Sequence, residues 1–155
     1  TLDTAALRFD IPEKTVVDYP VRIGGRPYNI TCVDMGNPHC VVFCPRVDAV
    51  DIDFIGPRFE HAPYFPERIN TEFIRVVNPS TIKMRVWERG SGETMACGTG
   101  ACATAVAAHL TGRAGRESDI RMDGGTLHIH WNETDNHVLM TGPAAITFEG
   151  EVTLP

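Results

Sequence analysis

Lysine is nearly missing from this chain. Of 155 residues only Lys14 and Lys83 are lysines, and neither stands in a glycine-rich loop. A Schiff base to pyridoxal phosphate therefore has no setting. Long apolar runs are missing as well. No stretch approaches the ~18 residues that a membrane span needs, so no membrane partner is expected. Basic blocks are absent, and Lys plus Arg (14) against Asp plus Glu (20) leaves a formal charge of −6. Such a chain is a poor partner for nucleic acid. No phosphate-loop or dinucleotide glycine pattern occurs. Paired CxxC motifs are also lacking, which argues against a zinc site at His39, Cys40 and Cys44. The five cysteines, Cys32, Cys40, Cys44, Cys97 and Cys102, are odd in number. They read as reduced thiols in a cytoplasmic protein rather than a disulfide framework. The chain opens on Thr1 without a signal-peptide pattern and without methionine. It is expected to be a processed product or a piece of a longer protein.

What is present is ordinary globular composition, 43% hydrophobic and 22% charged, punctuated by 14 Gly and 11 Pro. A chain of this size can bury one real core. Residues 15–23 read as a strand, Gly24-Gly25 as a turn, and 28–35 as the returning strand of a hairpin. Gly36-Asn37-Pro38-His39 reads as a sharp loop and 40–44 as a short buried strand. Residues 51–61 suggest a helix with Ile52, Ile55 and Phe59 on one side, kinked or shortened at Gly56-Pro57. Strands are expected at 73–77, 81–87, 120–122, 126–131 and 138–141, with one more at 144–148. Residues 98–110 predict the best-defined helix. Its small apolar side chains, Ala101, Cys102, Ala103, Ala105, Val106, Ala107 and Ala108, cover nearly every face, which places it inside a core. The expected fold is α+β, with a mixed, mostly antiparallel sheet curled around a central buried helix.

The densest chemical signal is Glu88-Arg89-Gly90-Ser91-Gly92-Glu93-Thr94-Met95-Ala96-Cys97-Gly98-Thr99-Gly100-Ala101-Cys102. Cys97 stands where a loop enters the buried helix. Free amides and the helix dipole at that end favour a thiolate. The amides of Gly98 and Thr99 could hold a carboxylate. The bland reading is a buried structural thiol beside a glycine turn, and both readings stand at this level. Cys102 reads as core packing. In Gly36-Asn37-Pro38-His39-Cys40, the Asn can bond a polar ligand through both amide ends, and the His can tune a nearby thiol. An Asn-Pro turn with a packed histidine is the alternative. Glu88 and Arg89 close a strand, where the arginine could clamp a carboxylate or sit in a surface ion pair. His128 and His130 alternate on one strand face with no acidic partner nearby in sequence.

Three motifs carry a family resemblance: Met35-Gly36-Asn37-Pro38-His39-Cys40, Phe65-Pro66-Glu67-Arg68-Ile69-Asn70, and the run from Trp87 to Ala103. Met140-Thr141-Gly142-Pro143-Ala144 adds a fourth, and order and gaps agree. The chain resembles the C-terminal half of diaminopimelate epimerase, an isomerase family of bacterial lysine and cell-wall precursor synthesis. The resemblance implies a cofactor-free inversion between LL- and meso-diaminopimelate by two cysteines on opposite faces of the α-carbon. It implies Cys97 as thiolate base, and His39 with Glu88 as groups that tune the cysteine pair. Asn37, Asn70, Glu88, Arg89, Gly98 and Thr99 are implied as substrate-binding residues. No metal is implied.

The second catalytic cysteine of that family belongs to a glycine-rich loop in an N-terminal half, and no such loop occurs here. The resemblance thus implies one wall of a cleft, with the missing half as partner, a homodimer as the family's common assembly, and no activity for these residues alone. Residues 1–142 would form the C-terminal epimerase domain, and 143–155 a tail that returns to the missing half. A proline or hydroxyproline racemase shares the Cys-Gly-Thr-Gly loop, and a non-catalytic binding module is the other class in competition.

Overall fold

The computed structural model describes residues 1–5 and 8–153. Nine strands form a single sheet: β1 (Tyr19–Ile23), β2 (Arg26–Asp34), β3 (Pro38–Phe43), β4 (Asn70–Asn78), β5 (Thr81–Glu88), β6 (Gly92–Thr94), β7 (Glu117–Met122), β8 (Gly125–Trp131) and β9 (Val138–Thr141). The order across the sheet is β1-β2-β3-β4-β5-β7-β8-β9. Only β3–β4 and β5–β7 pair in parallel. The far edge of β5 is shared, with β7 beside residues 81–83 and β6 beside residues 86–88.

Among the described residues two α-helices pack on the sheet, with one short 3-10 turn at Val47–Ala49. α1 (Ile52–Glu60) buries Ile52, Ile55 and Phe59, and Asp51 caps it by accepting from the Phe54 amide at 3.2 Å. Pro57 lies inside α1. α2 (Gly98–Leu110) buries every residue from Gly100 to Ala108. It touches β2, β3, β4, β5, β7, β8 and β9, so the sheet curls around it. Small side chains permit that approach, because a helix with larger ones would hold the strands off on some face.

Pleat alternation divides the core in two. Val33, Val41, Ile74, Met84 and Val86 pack toward α2. Cys32, Cys40, Val42 and Phe73 pack toward α1 with Phe59 and Phe65. Phe59 meets Tyr28 and Phe73 edge-on, with centroids at 5.0 and 5.4 Å. Gly56 seats the Trp87 ring, whose Cδ2 would lie 2.3 Å from a Cβ at that position.

Several element boundaries depart from the sequence reading. The first strand starts at Tyr19, not residue 15, because Asp18 takes a positive φ of 51° and breaks the extended run. Thr15 makes only an isolated bridge with Asp3. β4 begins at Asn70 rather than residue 73, and β7 at Glu117 rather than residue 120. Strand β6 was not foreseen; Gly90 and Gly92, at φ 79° and 87°, turn the chain back onto β5. No strand forms at 144–148. Residues 142–153 have no helix or strand and are exposed, because no neighbouring edge pairs with them. The last two residues of the expected tail, Leu154 and Pro155, lie outside the described residues. Among the described residues no helix is long and apolar enough to cross a membrane.

Candidate active site

One end of the sheet gathers the chemistry. β3 and β4 run parallel with His39 opposite Asn70, so both strands begin there. β5 is antiparallel to β4 with Thr71 opposite Trp87, so it finishes there at Glu88. The N-terminus of α2 meets the same end through Cys97. Asn37, His39, Asn70, Glu88, Arg89, Cys97, Gly98 and Thr99 therefore share one region, although 62 positions separate the first from the last.

Cys97 caps α2. Its backbone is extended, and its Sγ accepts from the Gly100 amide at 3.4 Å. The Thr99 hydroxyl lies 3.6 Å from the same sulfur. These contacts pull the thiol down, but burial pushes it up more, and the Glu72 and Glu88 carboxylates add to the rise. The net direction is upward. The expectation of a thiol lowered by the helix end is thus corrected: at 7% exposure, desolvation and two nearby negative charges outweigh the cap. The first amides of α2, at Gly98 and Thr99, have no partner within the helix and are free to hold an anion. Cys102 is buried in the core, as expected, and burial also pushes its thiol up.

His39 is not in a loop. It is the second residue of β3 and fully buried on the face toward α2. The pleat turns Cys40 the other way, into the α1 side of the core. His39, Cys40 and Cys44 therefore do not converge. His39 Nδ1 lies 2.6 Å from Glu72 Oε1, and Nε2 lies 3.0 Å from Asn37 Oδ1. Glu88, expected as the companion of His39, instead accepts from the Thr94 hydroxyl at 2.5 Å. The glutamate at His39 is Glu72, which the sequence reading missed. The available signal was alternation from Asn70: extending β4 back by three residues puts Asn70, Glu72 and Ile74 on one face.

Asn70 spends both amide ends on backbone. Nδ2 donates to Pro38 O at 3.1 Å, and Oδ1 accepts from the Arg89 amide at 2.9 Å. One N–H and one lone pair remain for a ligand. Arg89 is exposed, and its guanidinium donates to Glu67 O at 3.1 Å. Buried Glu60 anchors the loop that follows β5. Its Oε2 accepts from the Trp87 indole at 2.7 Å and its Oε1 from the Gly90 amide at 2.9 Å. Burial alone would push Glu60 up. The Trp87 and Gly90 bonds, with His61 and Arg68, more than offset it, and the carboxyl is held low.

His128 does have acidic partners, supplied by the neighbouring strand. Its Nδ1 is 2.8 Å from Asp119 and its Nε2 is 3.0 Å from Glu117, both on β7. That cluster lies apart from the Cys97 end.

Residues 31–147 match the family model described as diaminopimelate epimerase. A diaminopimelate epimerase from a Picosynechococcus species is 56% identical over 89% of this chain and 49% of its own length. One from Desulfovibrio desulfuricans is 55% identical over 92% and 50%. A third, from Phocaeicola vulgatus, is 59% identical over 84% and 46%. The chain spans about half the length of the curated relatives it matches. Among solved structures, a methylitaconate-delta-isomerase aligns at TM-score 0.58 and 15% identity, over 89% of this chain and 49% of that one. A Bacillus anthracis phenazine biosynthesis protein of the PhzF family aligns at TM-score 0.52 and 18% identity, over 78% and 39%. These two structures share the α+β fold with its curled sheet.

Proposed function

Because this chain belongs to the diaminopimelate epimerase family, we propose that it supplies one wall of a cofactor-independent active site interconverting LL- and meso-diaminopimelate. The observation that carries this reading is Cys97 as the cap of α2, at the sheet end that also holds Asn37, Asn70, Glu88 and Arg89. Inversion needs a base on one face of the α-carbon and an acid on the other. The α-C–H bond breaks, its proton passes to one sulfur, and the electron pair remains on carbon beside the carboxylate. The second thiol then gives its proton to the opposite face. Cys97 takes the α-proton in one direction and returns it in the other.

The Gly98 and Thr99 amides hold the α-carboxylate where charge develops. Glu88 receives the α-ammonium, and Arg89, Asn37 and Asn70 fix the rest of the substrate. An ammonium at Glu88 would offset part of the negative field that pushes Cys97 up, and so would ease formation of the thiolate. His39 orients Asn37, whose Oδ1 lies 3.0 Å from Nε2.

The opposite thiol belongs to a second half, which the doubled length of the relatives supports. Residues 143–155 are the segment that returns to that half, with residues 1–142 as the domain proper, in a cytoplasmic enzyme that pairs as a homodimer. The test is inversion by the complete protein, followed by chiral chromatography on diaminopimelate and on proline. Conversion of diaminopimelate, abolished in Cys97→Ser, is the expected result. Conversion of proline alone would replace the substrate, and conversion of neither would overturn the reading.

A further inference from the structure

Glu72, like His39, is a fully buried ionisable group at the site. It lies within β4 at 0% exposure, and a carboxylate in such a place is costly unless its oxygens are paired. One oxygen is accounted for, since Oε1 lies 2.6 Å from His39 Nδ1. The other, Oε2, is sealed from solvent and has no hydrogen-bond partner among the described residues. The carboxylate also backs onto the first turn of α2. A Cβ at Gly100 would lie 2.7 Å from Glu72 Oε1 and 3.2 Å from Cys97 Sγ. No side chain fits between the carboxylate and the thiol.

The hydrogen bonds run in sequence from there. An ionised Glu72 only accepts, so His39 Nδ1 carries the proton it sees. Nε2, 3.0 Å from Asn37 Oδ1, then either donates to that oxygen or accepts from the amide nitrogen turned toward it. In both cases the ring is held from behind by Glu72 and in front by Asn37.

We propose that Glu72 is a positioning residue of the epimerase site: it locks the His39 ring through Nδ1, and through that ring Asn37, and the same carboxylate backs the Cys97–Gly100 turn, so that Asn37 and Cys97 are held toward the substrate as one unit. The proposal rests on the epimerase reading above and extends it to a residue outside the motifs that identify the family. The field of Glu72 reaches the thiol as well, since it and Glu88 add to the upward push on Cys97. The titratable groups that face this sulfur are Glu72 from β4, Glu88 from β5 and Cys102 from α2, with His39 of β3 behind Glu72.

The test uses the complete protein that contains this chain, with Glu72→Gln and Glu72→Asp. Two quantities are read: kcat and KM for diaminopimelate inversion, and the pH profile of Cys97 alkylation by iodoacetamide, resolved by peptide mass. Glu72→Gln is expected to lower kcat roughly 10²-fold, the order that a misplacement of the reacting groups by about 1 Å costs. KM should move by less than about threefold. The alkylation profile should shift to lower pH, because a negative charge facing the sulfur is gone. Glu72→Asp keeps the charge and should return the profile toward wild type.

A purely structural role would move neither the profile nor its rescue. An unmoved profile in Glu72→Gln overturns the proposal whatever the activity, and so does an unchanged kcat. If the wild-type protein fails to invert diaminopimelate, the epimerase reading falls, and the alkylation profile still decides on Glu72. Should Glu72→Gln not fold, Gly100→Ala must give the drop in kcat, because its methyl would press on both Oε1 and Sγ. Wild-type activity in that variant overturns the proposal.

Discussion

The Cys97 sulfur sits between opposing influences: a helix cap that stabilises the thiolate, and burial beside two carboxylates that opposes it. Burial wins, and the thiol is pushed above its ordinary value. Alkylation of Cys97 in this chain is therefore expected to rise only above the pH at which an exposed cysteine reacts. A midpoint below that of a cysteine peptide would show that the cap dominates. A second residue-scale prediction concerns Glu60, which joins the Trp87 indole and the Gly90 amide. Its carboxyl is held low, so the stability it contributes is present above the ordinary carboxylate value and lost as pH falls through the folded one. Glu60→Gln should cost about 1–3 kcal/mol near neutral pH. It should also flatten the acid side of the stability profile, measured by urea unfolding. Unchanged unfolding at neutral pH and across the acid side would contradict this. The Cys97 motif was legible because its glycines and cysteine are contiguous. Glu72 was not, because its partner His39 is 33 positions away and only the alternation running back to Asn70 marks its face.

The elements were easier to recognise than their ends. α2 was legible because its small apolar residues have no polar face, and only a buried helix tolerates that. Strand starts were blurred by tertiary pairing. β4 extends back to Asn70 because β3 offers a parallel partner, and β6 forms because two glycines at positive φ fold it onto β5. At 144–148 the β-branched and aromatic pattern is real, but a strand needs a neighbour, and Ile146 and Phe148 are left 82% and 84% exposed. Gly56 tests the packing of α1 on the sheet. Ala is favoured over Gly in a helix by up to about 1 kcal/mol. Here, however, a Cβ would meet the Trp87 ring at 2.3–2.6 Å. The clash should win, with Gly56→Ala net destabilising by about 1–3 kcal/mol in chemical denaturation. A stabilised variant would mean that Trp87 moves freely.

Across the whole molecule the thiols set an alkaline limit. Burial raises Cys44 from 9.0 to about 11, and pushes Cys40, Cys97 and Cys102 in the same direction. Between those values the folded chain keeps protons that the unfolded chain loses. Stability is therefore full below the ordinary thiol value and falls as pH rises through the folded one. The urea midpoint should drop between about pH 8 and about pH 11, and Cys44→Ala should lessen the drop; a flat profile would contradict it. The proposed function belongs to the same scale: a two-sided inversion needs two walls, and in that proposal this chain supplies one. The most direct measurement follows the α-proton of LL-diaminopimelate in deuterated water by NMR. It compares the complete protein, its Cys97→Ser variant and these 155 residues alone. The account predicts exchange with inversion in the first and none in the other two. Turnover by the 155-residue chain, or exchange that survives Cys97→Ser, would contradict it.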